Sequence, residues 1–325
     1  MYGQRCPRRA PAARRARGAA AGAACLAATA LLAAPSLAAA PAAGQAAVLA
    51  GAVGRGGPAG QPRGIAAAAA AIADERTGRR LWARHPDRTL PVASLTKVMT
   101  AYVVLTRGRI GRYVTITRAD VRYVGCCIAS AGLRAGDVLT ARQLLYAMLL
   151  PSGADAARAL AEAYGPGIAA FVARMNAAAR RLHLTGTRFT NFDGVPASDE
   201  STPASLLRLG EAAMRLPFFR AVVRARWHRL RAGRLHHAYL WRNRNLLLGR
   251  YPGAIGIKTG WTPAAGECLL FAAVRGHREL IGVVLDSAPT DSGETFVAAA
   301  RLLDWAFGAR QPAARPAMPA HGPLD

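Results

Sequence analysis

Residues 266–286, Gly-Glu-Cys-Leu-Leu-Phe-Ala-Ala-Val-Arg-Gly-His-Arg-Glu-Leu-Ile-Gly-Val-Val-Leu-Asp, hold two apolar runs parted by Arg275-Gly276-His277-Arg278. Two such runs around a glycine turn predict a β-hairpin. A second hairpin is predicted near the other end: residues 66–74 are apolar, Glu75-Arg76-Thr77-Gly78 turns the chain, and residues 79–83 alternate. Between the hairpins the pattern is helical. A helix starts at or just before Ser94 with its N-terminus free, and Val98, Met99, Ala101, Tyr102, Val103, Val104 and Leu105 make it apolar nearly all round, which predicts burial. Thr140-Ala-Arg-Gln143 reads as a capping box opening another helix that stops at Pro151. Further helices are predicted over about 154–164, across Ile168, Phe171, Val172, Met175 and Leu182, and from Thr202-Pro203 to about Leu216. Residues 185–203 read as a long polar loop, and Asp291-Ser-Gly-Glu294 as the cap of a last helix through Phe296, Ala300, Leu303 and Phe307. Strands at both ends and helices between them predict an α+β fold. An antiparallel sheet is assembled from both chain ends, an inserted helical subdomain covers one face, and the site lies in the cleft between them.

Outside this unit, placed at residues 65–308, the chain looks different. Residues 1–17 carry six arginines and no acid, and residues 18–40 form an alanine-rich apolar run ending in small residues. This pattern is that of a secretory signal peptide, and it predicts export to the cell wall or beyond. The arginine pairs leave a twin-arginine route open, Cys25 a lipoprotein anchor, and the apolar run itself an uncleaved membrane anchor. Residues 41–64 read as a flexible Ala/Gly/Pro linker and 309–325 as a disordered Pro/Ala-rich tail. Beyond the leader, Cys126, Cys127 and Cys268 allow at most one internal disulfide, and free buried thiols are the competing reading. No cysteine or histidine spacing suggests a metal, and the reading requires no cofactor.

The formal charge is +25. Ten arginines fall between Arg215 and Arg250, and no acid lies between Ala212 and Gly266. Such a block ordinarily points to nucleic acid. On an exported chain the polyanions within reach are wall polymers and lipid head groups instead, so nucleic acid is not expected. Codon bias toward Ala, Arg, Gly and Pro is the competing explanation. His228, His236 and His237 read as surface features of the same block.

Against 41 arginines stand two lysines, Lys97 and Lys258. A guanidinium cannot lose its proton near neutral pH, whereas a buried amine can be tuned into a base. Ser94-Leu-Thr-Lys97 puts a hydroxyl one helical turn before an amine, on the same face, as an activated nucleophile requires. With nine serines in 325 residues, a given lysine has one three residues earlier about 3% of the time by chance. The second lysine lies in Lys258-Thr259-Gly260, and Ser152-Gly153-Ala154 falls between the two motifs.

These three motifs resemble the S-x-x-K, S-x-N and K-T-G of the D-alanyl-D-alanine carboxypeptidases, low-molecular-mass penicillin-binding serine acyl-transferases of the β-lactamase/transpeptidase-like fold. The likeness covers roughly residues 66–307, including Thr190-Asn191 with Gly194, and Asn243 through Gly253. It implies that Ser94 is the nucleophile, that Lys97 is its base, depressed by burial and by Lys258, and that Ser152 relays the proton to the leaving amine. Lys258 and Thr259 would hold the substrate's terminal carboxylate beside Gly260, and the N–H groups of Ser94 and Trp261 would form an oxyanion hole, each donor contributing about 2.7–4 kcal/mol. The implied substrate is the stem peptide of peptidoglycan, with β-lactams as trapping inhibitors.

One departure is plain. Ala154 stands where the family has asparagine, and losing one neutral hydrogen bond costs about 0.5–1.5 kcal/mol, so altered efficiency is expected rather than a dead enzyme. Asp155 reads as a first-turn acid favoured by the helix dipole. A DD-endopeptidase and a non-catalytic wall-binding module with a basic face are the alternatives. A β-lactamase is disfavoured, because no Glu-x-x-x-Asn follows residue 185.

Overall fold

The computed structural model describes residues 60–308 except 126, 127, 197 and 291. The expected leader, the tail and most of the linker lie outside the described residues, as do Cys126, Cys127 and Asp291. The elements in chain order are β1 (Ala69–Asp74), β2 (Arg80–Arg84), β3 (Leu90–Pro91), α1 (Thr96–Arg107), β4 (Tyr113–Thr115), α2 (Arg118–Val124), β5 (Val138–Thr140), α3 (Ala141–Leu149), α4 (Ala154–Tyr164) and α5 (Ile168–Arg181). Then follow β6 (Glu200–Ser201), α6 (Pro203–Met214), α7 (Pro217–Arg224), β7 (Trp227–Leu230), β8 (Tyr239–Arg242), β9 (Ala254–Thr262), β10 (Gly266–Arg275), β11 (Arg278–Leu285) and α8 (Glu294–Phe307).

Both terminal hairpins enter one five-stranded antiparallel sheet in the order β2-β1-β11-β10-β9. The apolar runs are continuous because the sheet is covered on both sides. Leu269, Phe271, Leu280 and Val284 pack with Phe296, Leu302 and Leu303 of α8. Leu270, Ile281 and Val283 face the helical layer with Val98 and Met99 of α1 and Leu206 and Leu209 of α6. At two points only glycine fits. A Cβ on Gly282 would lie 2.2 Å from the ring of Phe271, its cross-strand partner, and one on Gly210 would lie 2.6 Å from Ile281 as α6 crosses the sheet.

The capping box at Thr140 forms, with Gln143 Oε1 accepting from the Thr140 N–H at 2.7 Å. The last helix starts differently from expectation. Gly293 is its N-cap, and the cap is supplied across the fold by the buried carboxylate of Glu267 on β10. That carboxylate accepts from the N–H of Gly293 and, at 2.8 Å, from that of Thr295. A buried carboxylate suits free N–H groups at the positive end of a helix dipole. Residues 60–64, the end of the expected linker, run beside α8: Trp305 Nε1 donates to Gly60 O at 3.0 Å and Arg301 donates to Gly64 O.

The β4–β5 pair and the β7–β8 ribbon do not follow from the sequence reading. In the ribbon, inward His228, Leu230, Tyr239 and Trp241 alternate with outward Trp227, Arg229, Leu240 and Arg242. Apolar and basic residues occupy both faces, so no period of two is visible.

Glu267→Ala should lower stability by about 1–3 kcal/mol, because two buried N–H groups lose their acceptor. Glu294→Ala, on the exposed side of the same turn, should cost less than about 1 kcal/mol. Urea unfolding of both variants checks this, and equal midpoints would remove the cap assigned to Glu267.

Candidate active site

Ser94 lies in a single 3₁₀ turn, Ala93–Leu95, that feeds directly into α1. The start of α1 is therefore enclosed rather than free: Ala93 and Leu95 are buried and Ser94 is half-buried. One turn on, Lys97 is fully buried, and its Nζ donates to Ser94 Oγ at 3.1 Å and to the backbone oxygen of Asp193 at 2.8 Å. The Asp193 carboxylate stands 3.9 Å away.

The polar loop at 185–203 folds against this same face of α1. Thr96 Oγ1 donates to Asp199 at 2.8 Å, and Thr100 Oγ1 donates to Phe192 O at 2.6 Å. Asn191 Oδ1 accepts from the N–H groups of Asp193 and Gly194, which folds the loop back on itself. A Cβ on Gly194, whose φ is +89°, would lie 1.9 Å from Ala93 O, so only glycine lets the loop pass there. On the other side β9 passes equally close, and a Cβ on Gly260 would lie 3.0 Å from the backbone nitrogen of Ser94. Gly260 thus brings the third motif against the first.

The fully buried Lys258 sits on that strand and donates to Thr259 O at 2.9 Å. Thr259 is half-buried, and Trp261 is 43% exposed at the rim. Burial above all holds the Lys97 amine below its ordinary value; Asp193 and then Asp155 oppose it, and Arg244 reinforces it. Lys258 is held well below its ordinary value by burial first and then by Lys97 and Arg244. Arg244 adds to the depression of both amines, and the two lysines disfavour each other's charged forms, while burial drives Lys258 toward its own neutral form.

Ser152 is buried at the turn into α4 with φ +68°, and its Oγ makes no hydrogen bond with any described residue. Ser94 and Lys97 are joined by a hydrogen bond, and no hydrogen bond joins Ser152 to either of them. Ala154 is buried, and its N–H donates to Ala129 O at 2.9 Å. Lys97 is held by Asp193 O, a contact that does not involve residue 154. Asp155 is more than a dipole partner. Its carboxylate accepts from Ser130 Oγ at 2.8 Å and from the N–H groups of Ala131 and Leu133, which pins segment 129–133 beside the site. Trp241 Nε1 holds the same segment from outside through Ala131 O at 2.9 Å.

A profile of the D-alanyl-D-alanine carboxypeptidase family matches residues 58–289. The chain belongs to this family. It is accordingly a serine peptidase, with the peptidoglycan peptidase activity that defines the group. A D-alanyl-D-alanine carboxypeptidase of Streptomyces sp. strain K15 is 38% identical over 257 residues, covering 75% of this chain and 88% of that protein. The crystal structure of the Streptomyces K15 DD-transpeptidase superposes with a TM-score of 0.72 at 37% identity, over 76% of this chain and 99% of that one. A D-alanyl-D-alanine endopeptidase of Escherichia coli is 30% identical over 76% of this chain and 79% of that protein. The likeness to solved DD-peptidases and the antiparallel sheet with its helical layer agree with the expected fold.

Three contributors escaped the sequence reading: Asp193, which holds Lys97; Arg244, which charges the cleft; and Asp199, which ties the loop to α1. Asp193 sits beside the Asn191 and Gly194 already singled out, and Arg244 lies between Asn243 and Asn245. Each acts through a partner far away in sequence. Cys268 is a buried free thiol, pushed up to about 12 chiefly by burial. His237 pairs with Asp137 at 2.7 Å, and His228 stacks on Tyr146 at 3.8 Å. No group of three or more His, Cys, Asp or Glu among the described residues is arranged to hold a metal. No helix among them is long and apolar enough to cross a membrane.

With two lysines in the chain, lysine-selective nitrogen NMR should give two side-chain signals, both titrating below the ordinary lysine value. Arg244→Gln removes a cation that disfavours the charged amines, so both titrations should move to higher pH. No movement, or movement downward, would remove the electrostatic role assigned to Arg244.

Proposed function

We propose that the chain is an exported DD-carboxypeptidase that removes the terminal D-alanine of peptidoglycan stem peptides through an acyl-enzyme. What carries this reading is a fully buried amine 3.1 Å from a serine hydroxyl, below its ordinary pKa. Neutral Lys97 takes the Ser94 proton as Oγ attacks the carbonyl carbon before the last D-alanine. The developing oxyanion is met by the N–H groups of Ser94 and Trp261. The peptide C–N bond then breaks, and the proton passes through Ser152 to the leaving amine. Water, deprotonated by Lys97, attacks the acyl carbon, frees the shortened stem and returns the proton to Ser94.

Lys258, Thr259 and Arg244 hold the substrate's terminal carboxylate. An arriving anion favours the protonated form of Lys258, so this lysine becomes charged as substrate binds. The new charge in turn favours the neutral form of Lys97. Asp193 orients the base, so Ala154 leaves the machinery intact. A β-lactam acylates Ser94 by the same attack and lacks a leaving group that diffuses away. The relatives named for endopeptidase and transpeptidase action would share these steps and differ in the substrate cleaved or in what attacks the acyl-enzyme.

Purified protein should be labelled covalently by a fluorescent penicillin, and Ser94→Ala should abolish the label. Lys97→Arg keeps charge and approximate length yet should also abolish it, because a permanent cation cannot take the serine proton. A stem pentapeptide should release D-alanine, whereas cleavage of cross-linked dimer alone would make the chain an endopeptidase. Folded wild-type protein that takes no label would overturn the acyl-enzyme.

A further inference from the structure

An open groove of about 1490 Å³ is lined by Ile128–Gly132, Pro151, the β7–β8 ribbon and Asn243–Leu246, so that it shares Arg244 with the catalytic cleft. The ribbon is held firmly on its inner face. Tyr239 donates to the buried Asp137, His237 pairs with the same carboxylate, Trp241 donates to Ala131 O, and Tyr239 stacks on Trp241 with ring centroids 5.3 Å apart. The ribbon's outer face is exposed among the described residues.

There Trp227 is 61% and Leu240 55% exposed, and Arg229 and Arg242 are exposed beside them. The register places Trp227 opposite Arg242 and Arg229 opposite Leu240. Cation and apolar surface therefore alternate both along and across the ribbon, and the two guanidinium stems start about 7–8 Å apart on the diagonal. No Asp or Glu lines the groove. Among the described residues, Arg226, Arg229 and Arg242 have no carboxylate partner.

A groove with unpaired guanidinium groups at short, regular spacing and apolar steps between them suits a flexible chain carrying one anion per short carbon repeat.

We propose that this groove binds a phosphodiester-linked polymer of the cell wall, with Arg229 and Arg242 on phosphates and Trp227 and Leu240 against the carbon units between them. The choice of a wall polymer rests on the peptidoglycan-peptidase reading; the charge pattern does not. Bound this way, the polymer would hold the enzyme in the wall with the catalytic cleft beside it, since Arg244 lines the groove and also acts on both catalytic lysines.

The test is binding of the whole protein to linear poly(glycerol phosphate), followed by fluorescence anisotropy across a salt series. An uncharged glycan of equal length, anionic phospholipid vesicles and an oligodeoxynucleotide of matched charge serve as the other arms. The wild type should bind the polymer with affinity that falls steeply with salt. Arg229→Gln with Arg242→Gln should weaken binding about tenfold or more and flatten the salt dependence, and Trp227→Ala should weaken the salt-resistant remainder. D-Alanine release from free stem pentapeptide, measured on the same samples, should be unchanged in all variants. That separates failure of this proposal from failure of the peptidase reading. Undiminished binding by the double variant, no binding by the wild type, or tighter binding to vesicles or to the oligonucleotide would each overturn it.

Discussion

An amine with no exposed surface is the constraint on which the rest of this structure depends. Taking Lys97 out of water costs more than its contacts return as an ammonium, so its pKa falls, and two oxygens, Ser94 Oγ and Asp193 O, receive its N–H groups. Asp193 is available only because the 191–199 loop is folded against α1, and α1 itself folds it there. Thr96 and Thr100 bind the loop from the same helix that carries the base. The nucleophile, the base and the groups that enclose them thus derive from one stretch of helix and one loop lying on it.

The sheet supplies the second half of the site at close range. β9 reaches Ser94 because Gly260 has no side chain, and it carries Lys258 into the same buried volume. Three cations then share one cleft: two lysines whose protons burial makes labile, and an arginine whose proton is not. A cleft of that charge is unfavourable when empty and favourable once an anionic peptide end is bound, which couples recognition of the carboxylate to the state of the base. The amine is oriented from the loop, and segment 129–133 is held by Asp155 and Trp241.

Two kinds of residue stand out within the arginine block. Arg244 faces the catalytic lysines and belongs to the cleft. Arg229 and Arg242 face outward from a ribbon whose inner face is packed and hydrogen-bonded. Codon bias would scatter arginine over any exposed surface, but it does not explain alternation with an exposed tryptophan and leucine across a paired register.

Much of this was legible in the chain alone. The two hairpins, the buried helix behind Ser94, the capping box at Thr140 and the lysine pair are signals of local period, local spacing or scarcity, and each survives folding because its partners are near in sequence. What the sequence could not decide are contacts between distant segments. The loop at 185–203 reads as polar, yet its carbonyl at Asp193 fixes the base. Glu267 on a neighbouring strand accepts from the N–H groups that open α8. Arg244, far from both lysines in sequence, adds to the depression of each amine. The ribbon at 227–242 was hidden by arginines that mask its alternation. Sequence by itself determined which groups are present and which turn of helix pairs them; tertiary structure decided their charge state and orientation, because burial and approach across the fold are properties of packing and not of spacing.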